Sequence, residues 1–170
     1  LDGGYGACAL GPNGKIYALP DTNTASSIMV IDPSESPPVL SFIEPDPPLV
    51  IGSGEWNSLV LAATGNLYGI PFNGNQVIKI DPGTDSITLL DMAETGVWGG
   101  GALGVDGKIY AVPVATATGA VLVIDPALDS STTIGSFTFD PAVVDGWFGM
   151  ARGQNGDIFG LPFYRDDILK

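Results

Sequence analysis

The chain contains no histidine, and only one of its 170 residues is a cysteine. Without histidine the sequence has no Ser-His-Asp or Cys-His arrangement, no imidazole general base and no histidine ligand for zinc or iron. A single cysteine can form neither an intrachain disulfide bond nor a thiolate metal cluster. The commonest nucleophilic hydrolase sites and transition-metal sites are therefore excluded.

Positive charge and long apolar runs are scarce as well. Six Lys and Arg stand against 19 Asp and Glu, which gives a formal net charge of −13. Such a charge repels the phosphates of nucleic acids and anionic lipids, so neither is an expected partner. No stretch approaches the roughly 18 consecutive apolar residues of a membrane helix, and residues 1–20 lack the pattern of a signal peptide. We therefore expect no membrane insertion.

What the sequence does contain is a repeat, and the repeat decides the fold. Four segments of the form apolar-aromatic-small-apolar-proline end at Pro20, Pro71, Pro113 and Pro162. A glycine turn precedes each segment, at Gly14, Gly65, Gly107 and Gly156. An aromatic residue lies fifteen residues before each proline, at Tyr5, Trp56, Trp98 and Trp147. The offset is constant while the distance between copies varies, which indicates rigid units joined by variable connections.

Each copy of the repeat predicts four short antiparallel strands. The first is rich in small residues, as suits the crowded inner strand of a propeller. An Asn-Gly or Asp-Gly pair then supplies the positive φ angles of a tight hairpin. A nearly continuous apolar third strand ends at an Asp-Pro pair, whose carboxylate can cap the next turn. The fourth strand is weaker and more polar, and is predicted at residues 39–43, 87–90 and 133–137.

The sequence therefore predicts an all-β protein with negligible helix, a β-propeller of which about 3.7 four-stranded antiparallel blades are visible. The blades are expected at approximately residues 4–53, 54–95, 96–144 and 145–170, the last one incomplete. Since a propeller closes as a ring, we expect an arc of a larger propeller. The remaining blades would come from the same chain or from a second copy.

These motifs resemble the propeller repeats of the YVTN, NHL and kelch-like kind, in which a glycine turn, a tyrosine-containing strand and a Val-x-Val-Ile-Asp strand recur. The resemblance covers the whole chain. The residue pattern of the repeat is similar to that of repeats in extracellular proteins of eukaryotic microbes. This resemblance implies an extracellular or cell-surface location. It is specific for architecture and not for function, because propellers host hydrolases, lectins, scaffolds and cofactor enzymes alike.

Two sets of repeated residues are candidate sites. The aromatics Tyr5, Trp56, Trp98 and Trp147 recur near the expected channel, where they could stack on sugar rings, or else pack between blades. The carboxylates Asp32, Asp81 and Asp125 could form a ring of oxygen ligands for calcium. Their Asp-Pro context favours turn capping instead. Cys8 lies in an apolar inner strand and is expected to be a small buried residue.

The regularity of the repeat favours a function without catalysis. Catalytic sites usually show as local departures from a repeat, and the departures here are loop residues without new titratable groups. We therefore predict a non-catalytic binding or structural scaffold that contacts protein or glycan surfaces, with no cofactor unless calcium is bound. The alternatives are a calcium-dependent six-bladed hydrolase or lactonase, and a sugar-binding lectin.

Overall fold

The described part of the chain is built from strands and turns and contains no helix. A computed structural model describes residues 4–20, 26–46, 56–72, 74–92, 94–114, 119–139 and 146–170. Its strands are β1 (Tyr5–Leu10), β2 (Ile16–Pro20), β3 (Ile28–Asp32), β4 (Val39–Ile43), β5 (Trp56–Leu61), β6 (Leu67–Pro71), β7 (Gln76–Asp81), β8 (Ser86–Asp91), β9 (Trp98–Leu103), β10 (Ile109–Pro113), β11 (Val121–Asp125), β12 (Ser130–Ile134), β13 (Gly146–Arg152) and β14 (Ile158–Phe163). Over the same ranges no helix is long and apolar enough to cross a membrane.

The strands form four antiparallel sheets that follow the repeat, which we call blades 1 to 4. Blades 1, 2 and 3 have the orders β1-β2-β3-β4, β5-β6-β7-β8 and β9-β10-β11-β12, and blade 4 contains β13 and β14. Each sheet is a meander, since every strand pairs with the next one along the chain. The blade boundaries predicted near residues 53 and 144 lie outside the described residues.

The constant offset of fifteen residues is a cross-strand pairing. In every blade the aromatic at the start of the inner strand pairs with the proline at the end of the second strand: Tyr5 with Pro20, Trp56 with Pro71, Trp98 with Pro113 and Trp147 with Pro162. The register shifts once beside each pair, as at a β-bulge. The proline belongs at this position because it ends the strand and donates no ladder hydrogen bond.

The hairpin between the first and second strands is wider than its Asn-Gly or Asp-Gly pair predicts. In blade 1 the loop covers residues 11–15 and is closed by the Gly11 N–H, which donates to the Lys15 carbonyl at 2.8 Å. Gly14 has a φ of 81°, whereas Asn13 does not take a positive φ and accepts the Lys15 N–H on Oδ1 at 3.2 Å. The prediction that the pair supplies both positive angles is therefore wrong. The asparagine side chain closes the turn from an ordinary backbone conformation.

One of the three predicted outer strands is displaced along the chain. The third lies at Ser130–Ile134 and not at residues 133–137. Its start is fixed by the turn before it, because Asp125 at the end of β11 pairs directly with Ser130. The prediction was placed too far along the chain because it followed the apolar residues Ile134 and Phe137. In this edge strand the preceding turn, and not the apolar pattern, sets the register.

The core lies between the blades, which pack face to face. Tyr17, Leu19, Ile28 and Val30 of blade 1 form one buried cluster with Trp56, Leu59, Leu67, Ile78 and Ile80 of blade 2. Tyr68, Ile70 and Val77 of blade 2 form a second cluster with Trp98, Ile109, Ala111, Leu122 and Ile124 of blade 3. Each fully buried Leu or Ile contributes about 1.5–3 kcal/mol to stability. A blade therefore depends on its neighbours for most of its burial.

Candidate functional site

The four repeated aromatics occupy equivalent positions, and the three tryptophans are enclosed by protein. Trp98 and Trp147 are fully buried, Trp56 is nearly so, and Tyr5 is half-buried. The Trp147 ring meets the Phe137 ring edge to face, with centroids 5.1 Å apart. A sugar could stack on these indoles only after the covering side chains had moved away.

Each buried tryptophan makes a hydrogen bond that sequence reasoning missed. The indole Nε1–H donates to a backbone carbonyl that follows the second strand of its blade: Trp56 to Gln76 (3.0 Å), Trp98 to Ala120 (2.9 Å) and Trp147 to Asp167 (3.0 Å). In blades 2 and 3 the indole thus ties the inner strand to the start of the third strand, across the second one. The available signal was the choice of Trp in three copies, since a buried Trp needs an acceptor for its N–H.

The repeated aspartates lie at the ends of the third strands and cap the turns that follow. Each Oδ1 accepts the backbone N–H two residues on: Asp32 from Ser34 (3.0 Å), Asp81 from Gly83 (2.8 Å) and Asp125 from Ala127 (3.0 Å). The capping role predicted from the Asp-Pro pairs is confirmed. The three carboxylates belong to three different blades. In the described ranges no three His, Cys, Asp or Glu side chains are grouped so that they could hold a metal ion.

A hydrogen bond from tyrosine to aspartate joins each of the first two blades to the next one. Tyr17 of β2 donates to Oδ1 of Asp85 at 3.1 Å, and Tyr68 of β6 donates to Oδ1 of Asp129 at 2.7 Å. Both aspartates lie in the turn before the fourth strand and take positive φ angles of 52° and 49°. We call this bond the tyrosine latch. Its sequence signal was an aspartate four residues after the Asp of the Asp-Pro pair.

The pKa values of Tyr68 and Asp129, the two partners of the second latch, are shifted in the directions that favour the observed bond. Burial raises the pKa of Tyr68, and the adjacent Asp129 carboxylate raises it further, so the phenol remains a donor. The pKa of Asp129 is held below its ordinary value, mainly because Lys79 donates to the carboxylate, with a further contribution from Tyr68. The ionised aspartate therefore joins two blades by accepting from both side chains.

The lowered pKa of Asp129 predicts a pH-dependent contribution to stability. An acidic group whose pKa is lower in the folded protein than in the unfolded chain stabilises the fold at pH values above its pKa in the unfolded chain, which is near 4. This stabilisation is lost as the pH falls through the pKa in the folded protein. Asp129→Asn should therefore cost about 1 kcal/mol or less at pH 7, because Lys79 and Asp129 are partly exposed. The difference from the parent should shrink at pH 3. Urea unfolding at both pH values measures it.

Asp85→Asn is the matched control for that experiment. Asp85 accepts a hydrogen bond from Tyr17 in the same way. The cross-strand neighbour of Tyr17 is the uncharged Val30, whereas the cross-strand neighbour of Tyr68 is Lys79. The control should show a smaller dependence on pH. Equal pH dependence in the two variants would contradict the role assigned to Lys79.

Blade 1 has an apolar face that no other described blade covers, although the small Ala18 within it is itself buried. Two rows of cross-strand neighbours, which we call the open face of blade 1, consist of Cys8, Ala18, Met29 and Phe42, and of Leu10, Ile16, Ile31 and Leu40. Leu40 and Phe42 are 47% and 46% exposed, and Cys8 is an exposed free thiol. The expectation of a buried Cys8 is thus wrong. Its equivalent Leu59 is buried only because blade 1 covers it.

Blade 4 carries the complementary surface. Phe159, Leu161 and Ile168, which we call the outward face of blade 4, are the repeat equivalents of three residues that blade 1 buries against blade 2: Tyr17, Leu19 and Ile28. Leu161 is 54% exposed and Ile168 is 63% exposed, whereas Leu19 and Ile28 are fully buried. The two ends of the array are therefore the two halves of the interface that recurs inside it.

Neither a protein-family model nor a curated protein sequence matches the chain. Many solved structures do. A catalytically inactive virginiamycin B lyase from Staphylococcus aureus, solved with Quinupristin, is similar with a TM-score of 0.75 and 12% identity, over 98% of this chain and 52% of the lyase. The fold is that of a β-propeller.

Two further propellers are similar to this chain at comparable identity. The extracellular domain of the one-component system BT4673 from B. thetaiotaomicron has a TM-score of 0.63 and 14% identity, over 93% of this chain and 20% of that one. YCF48 bound to D1 peptide has a TM-score of 0.61 and 15% identity, over 94% and 48%. The chain spans about half the length of the lyase and of YCF48. These similarities establish the propeller architecture.

The propeller fold explains why both end faces are apolar. In a propeller every blade covers one face of the blade before it and is covered by the blade after it. Blades 2 and 3 have neighbours on both sides, and most residues of their central strands are buried. The open face of blade 1 and the outward face of blade 4 are thus built as blade-to-blade contact surfaces.

Proposed function

We propose that the chain is a non-catalytic binding or structural scaffold that works by packing the end faces of its propeller arc against protein. For the 170-residue chain in solution, the partner proposed for these faces is a second copy, arranged head to tail. The outward face of blade 4 in one copy packs on the open face of blade 1 in the other. The scaffold acts outside the cell or at its surface, as one similar propeller is an extracellular domain.

The observation that carries this proposal is the match between the two end faces and the interface inside the array. Ile78 and Leu89 of blade 2, which pack against blade 1, are replaced on the open face by Met29 and Phe42 at the same register. β4 contains no charged residue, although exposed edge strands usually carry charges that prevent association. An apolar strand without charges, exposed in the single chain, is expected where another blade covers it.

Contact with protein is supported more strongly than contact with a glycan. The indoles that would stack on a sugar are enclosed by protein, whereas the exposed apolar side chains of the two end faces are aliphatic except for Phe42. YCF48, which has a similar fold, is bound to a peptide.

The test is the mass of the 170-residue chain in solution over a range of concentrations, measured by light scattering after gel filtration. We expect a species of about twice the monomer mass of 17.5 kDa. Phe42→Glu on the open face and Leu161→Glu on the outward face should each weaken association by more than about tenfold, because each places a charge in the apolar contact. Leu128→Glu, at an exposed position in the turn before β12, is the matched control and should associate like the parent.

Mixing the two variants tests the head-to-tail arrangement. A Phe42→Glu chain keeps its outward face and a Leu161→Glu chain keeps its open face, so the mixture should form a heterodimer through one intact contact. The thiol of Cys8 reports the same event, since it is the only cysteine and lies on the open face. Its rate of modification should fall as the concentration of the parent chain rises. A monomer at every concentration, with unchanged thiol reactivity, would overturn the proposal.

A further inference from the structure

The outer edge of blade 2 is open to backbone pairing within the described part of the chain. One edge of β8 pairs with β7, and no described strand pairs with the other. Ile87 and Leu89 of β8 pack in the cluster with blade 1, whereas Leu90 packs in the cluster with blade 3. Because blades lie on both faces of β8, its outer edge is at the circumference in an arc and in a closed ring alike.

This edge lacks the features that usually prevent strand pairing. The ladder between β7 and β8 runs from Asp81 with Ser86 to Gln76 with Asp91 without a bulge. β8 contains no proline, and its one charged residue is the last, Asp91. The neighbouring blades account for its apolar residues, but Ser86 and Thr88 are exposed and could carry a charge. Since edge strands are normally protected by lysine, proline or a bulge, β8 is suited to strand addition.

A carboxylate lies at each end of this edge. Asp85 precedes β8 and Asp91 ends it, and both are exposed. Each accepts a hydrogen bond from a neutral donor, Asp85 from the Tyr17 hydroxyl at 3.1 Å and Asp91 from Gln76 Nε2 at 2.7 Å. Among the described residues no Lys or Arg forms an ion pair with either aspartate. Two negative charges are thus held about 20 Å apart along the strand.

The equivalent turn of blade 3 is neutralised within the protein. Asp129 forms an ion pair with Lys79, and Asp125 forms one with Lys108 at 3.6 Å. The chain as a whole carries a net charge of −13. Charge complementarity therefore favours a cationic ligand, and it favours the edge of blade 2 over that of blade 3.

We propose that the outer edge of blade 2 binds an extended segment of a separate, basic polypeptide by strand addition. The backbone of the segment pairs with the open edge of β8, as in other complexes in which a peptide extends a sheet. Two Lys or Arg side chains about six residues apart bind Asp85 and Asp91, and the residues between them are uncharged. This binding involves neither end face and no second copy of the chain.

The probe is a fluorescein-labelled peptide, Lys-Thr-Val-Thr-Val-Thr-Lys, and its binding is measured by fluorescence anisotropy. The protein carries Leu161→Glu, which weakens end-face association, so that the two proposals fail separately. Replacing both lysines of the peptide with glutamate should weaken binding at least tenfold or so, because two attractive contacts become repulsive. A central proline in place of threonine keeps both charges but interrupts the backbone ladder, and this peptide should also bind much more weakly.

Variants of the protein locate the contact. Asp91→Asn should weaken binding roughly two- to fivefold at low salt, the range of an exposed ion pair, and less at high salt. Asp166→Asn is the matched control, since it removes one exposed carboxylate from blade 4 and should bind like the parent. Equal effects of the two substitutions would overturn the proposal.

Amide hydrogen exchange separates strand pairing from attraction between charges. Bound peptide should slow exchange at alternate residues of β8, whose outward N–H groups gain acceptors. It should leave β7 unchanged, because both edges of β7 are already paired. Absence of binding, equal affinity for the lysine and glutamate peptides, or binding without slower exchange in β8 would each contradict the assignment.

Discussion

Replacing Trp98 with alanine is expected to lower the free energy of unfolding by about 3–5 kcal/mol. The side chain is 0% exposed and lies in the cluster between blades 2 and 3, with Tyr68, Ile70 and Leu122. Its loss leaves a cavity that rigid strands on both sides cannot fill. The Ala120 carbonyl also loses its indole donor. Urea unfolding followed by far-UV circular dichroism measures the effect without relying on tryptophan fluorescence.

Trp98→Phe separates the two contributions to that loss. Phenylalanine keeps most of the apolar volume but cannot donate to the Ala120 carbonyl. Ala120 is a buried residue, only 5% exposed. An unsatisfied buried acceptor costs about 1–3 kcal/mol, so this variant should fall between the parent and Trp98→Ala. A Trp98→Ala variant within 1 kcal/mol of the parent would show that the blade-to-blade cluster does not hold the array together.

Gly99→Val is expected to destabilise the protein by about 3 kcal/mol, through contact between inner strands. A Cβ at Gly99 would lie 2.6 Å from the carbonyl oxygen of Phe148 and 3.0 Å from its Cα, both backbone atoms of β13. The backbone of a paired strand cannot rotate away as a side chain can, so blades 3 and 4 would have to separate. The glycine is needed for this close approach and not for its φ, which lies in the ordinary range.

Gly149→Ala is the matched control, since it adds a Cβ to the neighbouring inner strand. The nearest atom to that Cβ would be Leu161 Cδ1 at 3.3 Å, the end of a flexible side chain. We expect a change within about 0.5 kcal/mol of the parent, because the reduced entropy of the unfolded chain offsets the small contact. Thermal unfolding of both variants, compared at one pH, gives the test. Equal losses at Gly99 and Gly149 would contradict the proximity argument.

Most of the strand plan could be predicted from the sequence because its determinants are close together along the chain. The pairing of Trp56 with Pro71 appears as a fixed offset, and the turn after Asp81 is capped by a residue two positions away. The outer strand β12 was misplaced because its serines and threonines carry little hydrophobic signal. The width of the hairpin at Asn13-Gly14 also escaped prediction, since the pair is compatible with more than one loop length.

The candidate surfaces could be predicted only in part. The repeated Trp residues and the Asp-Pro aspartates were visible as a pattern, but the pattern does not say which side of a strand is covered. Cys8 and Leu59 occupy the same repeat position and differ in exposure because only Leu59 has a blade in front of it. The tyrosine latch joins Tyr17 to Asp85 across 68 residues, a distance at which no local rule of sequence applies.

The sequence by itself determined the repeat, the meander of four strands, the turn residues and the absence of histidine and disulfide chemistry. These follow from side-chain type, local backbone preference and short-range spacing. Only the tertiary structure decided which indoles are buried, how tyrosines join successive blades, and which faces at the two ends are left uncovered. Those features depend on how one sheet lies on the next, and face-to-face packing is set by contacts between residues far apart in the chain.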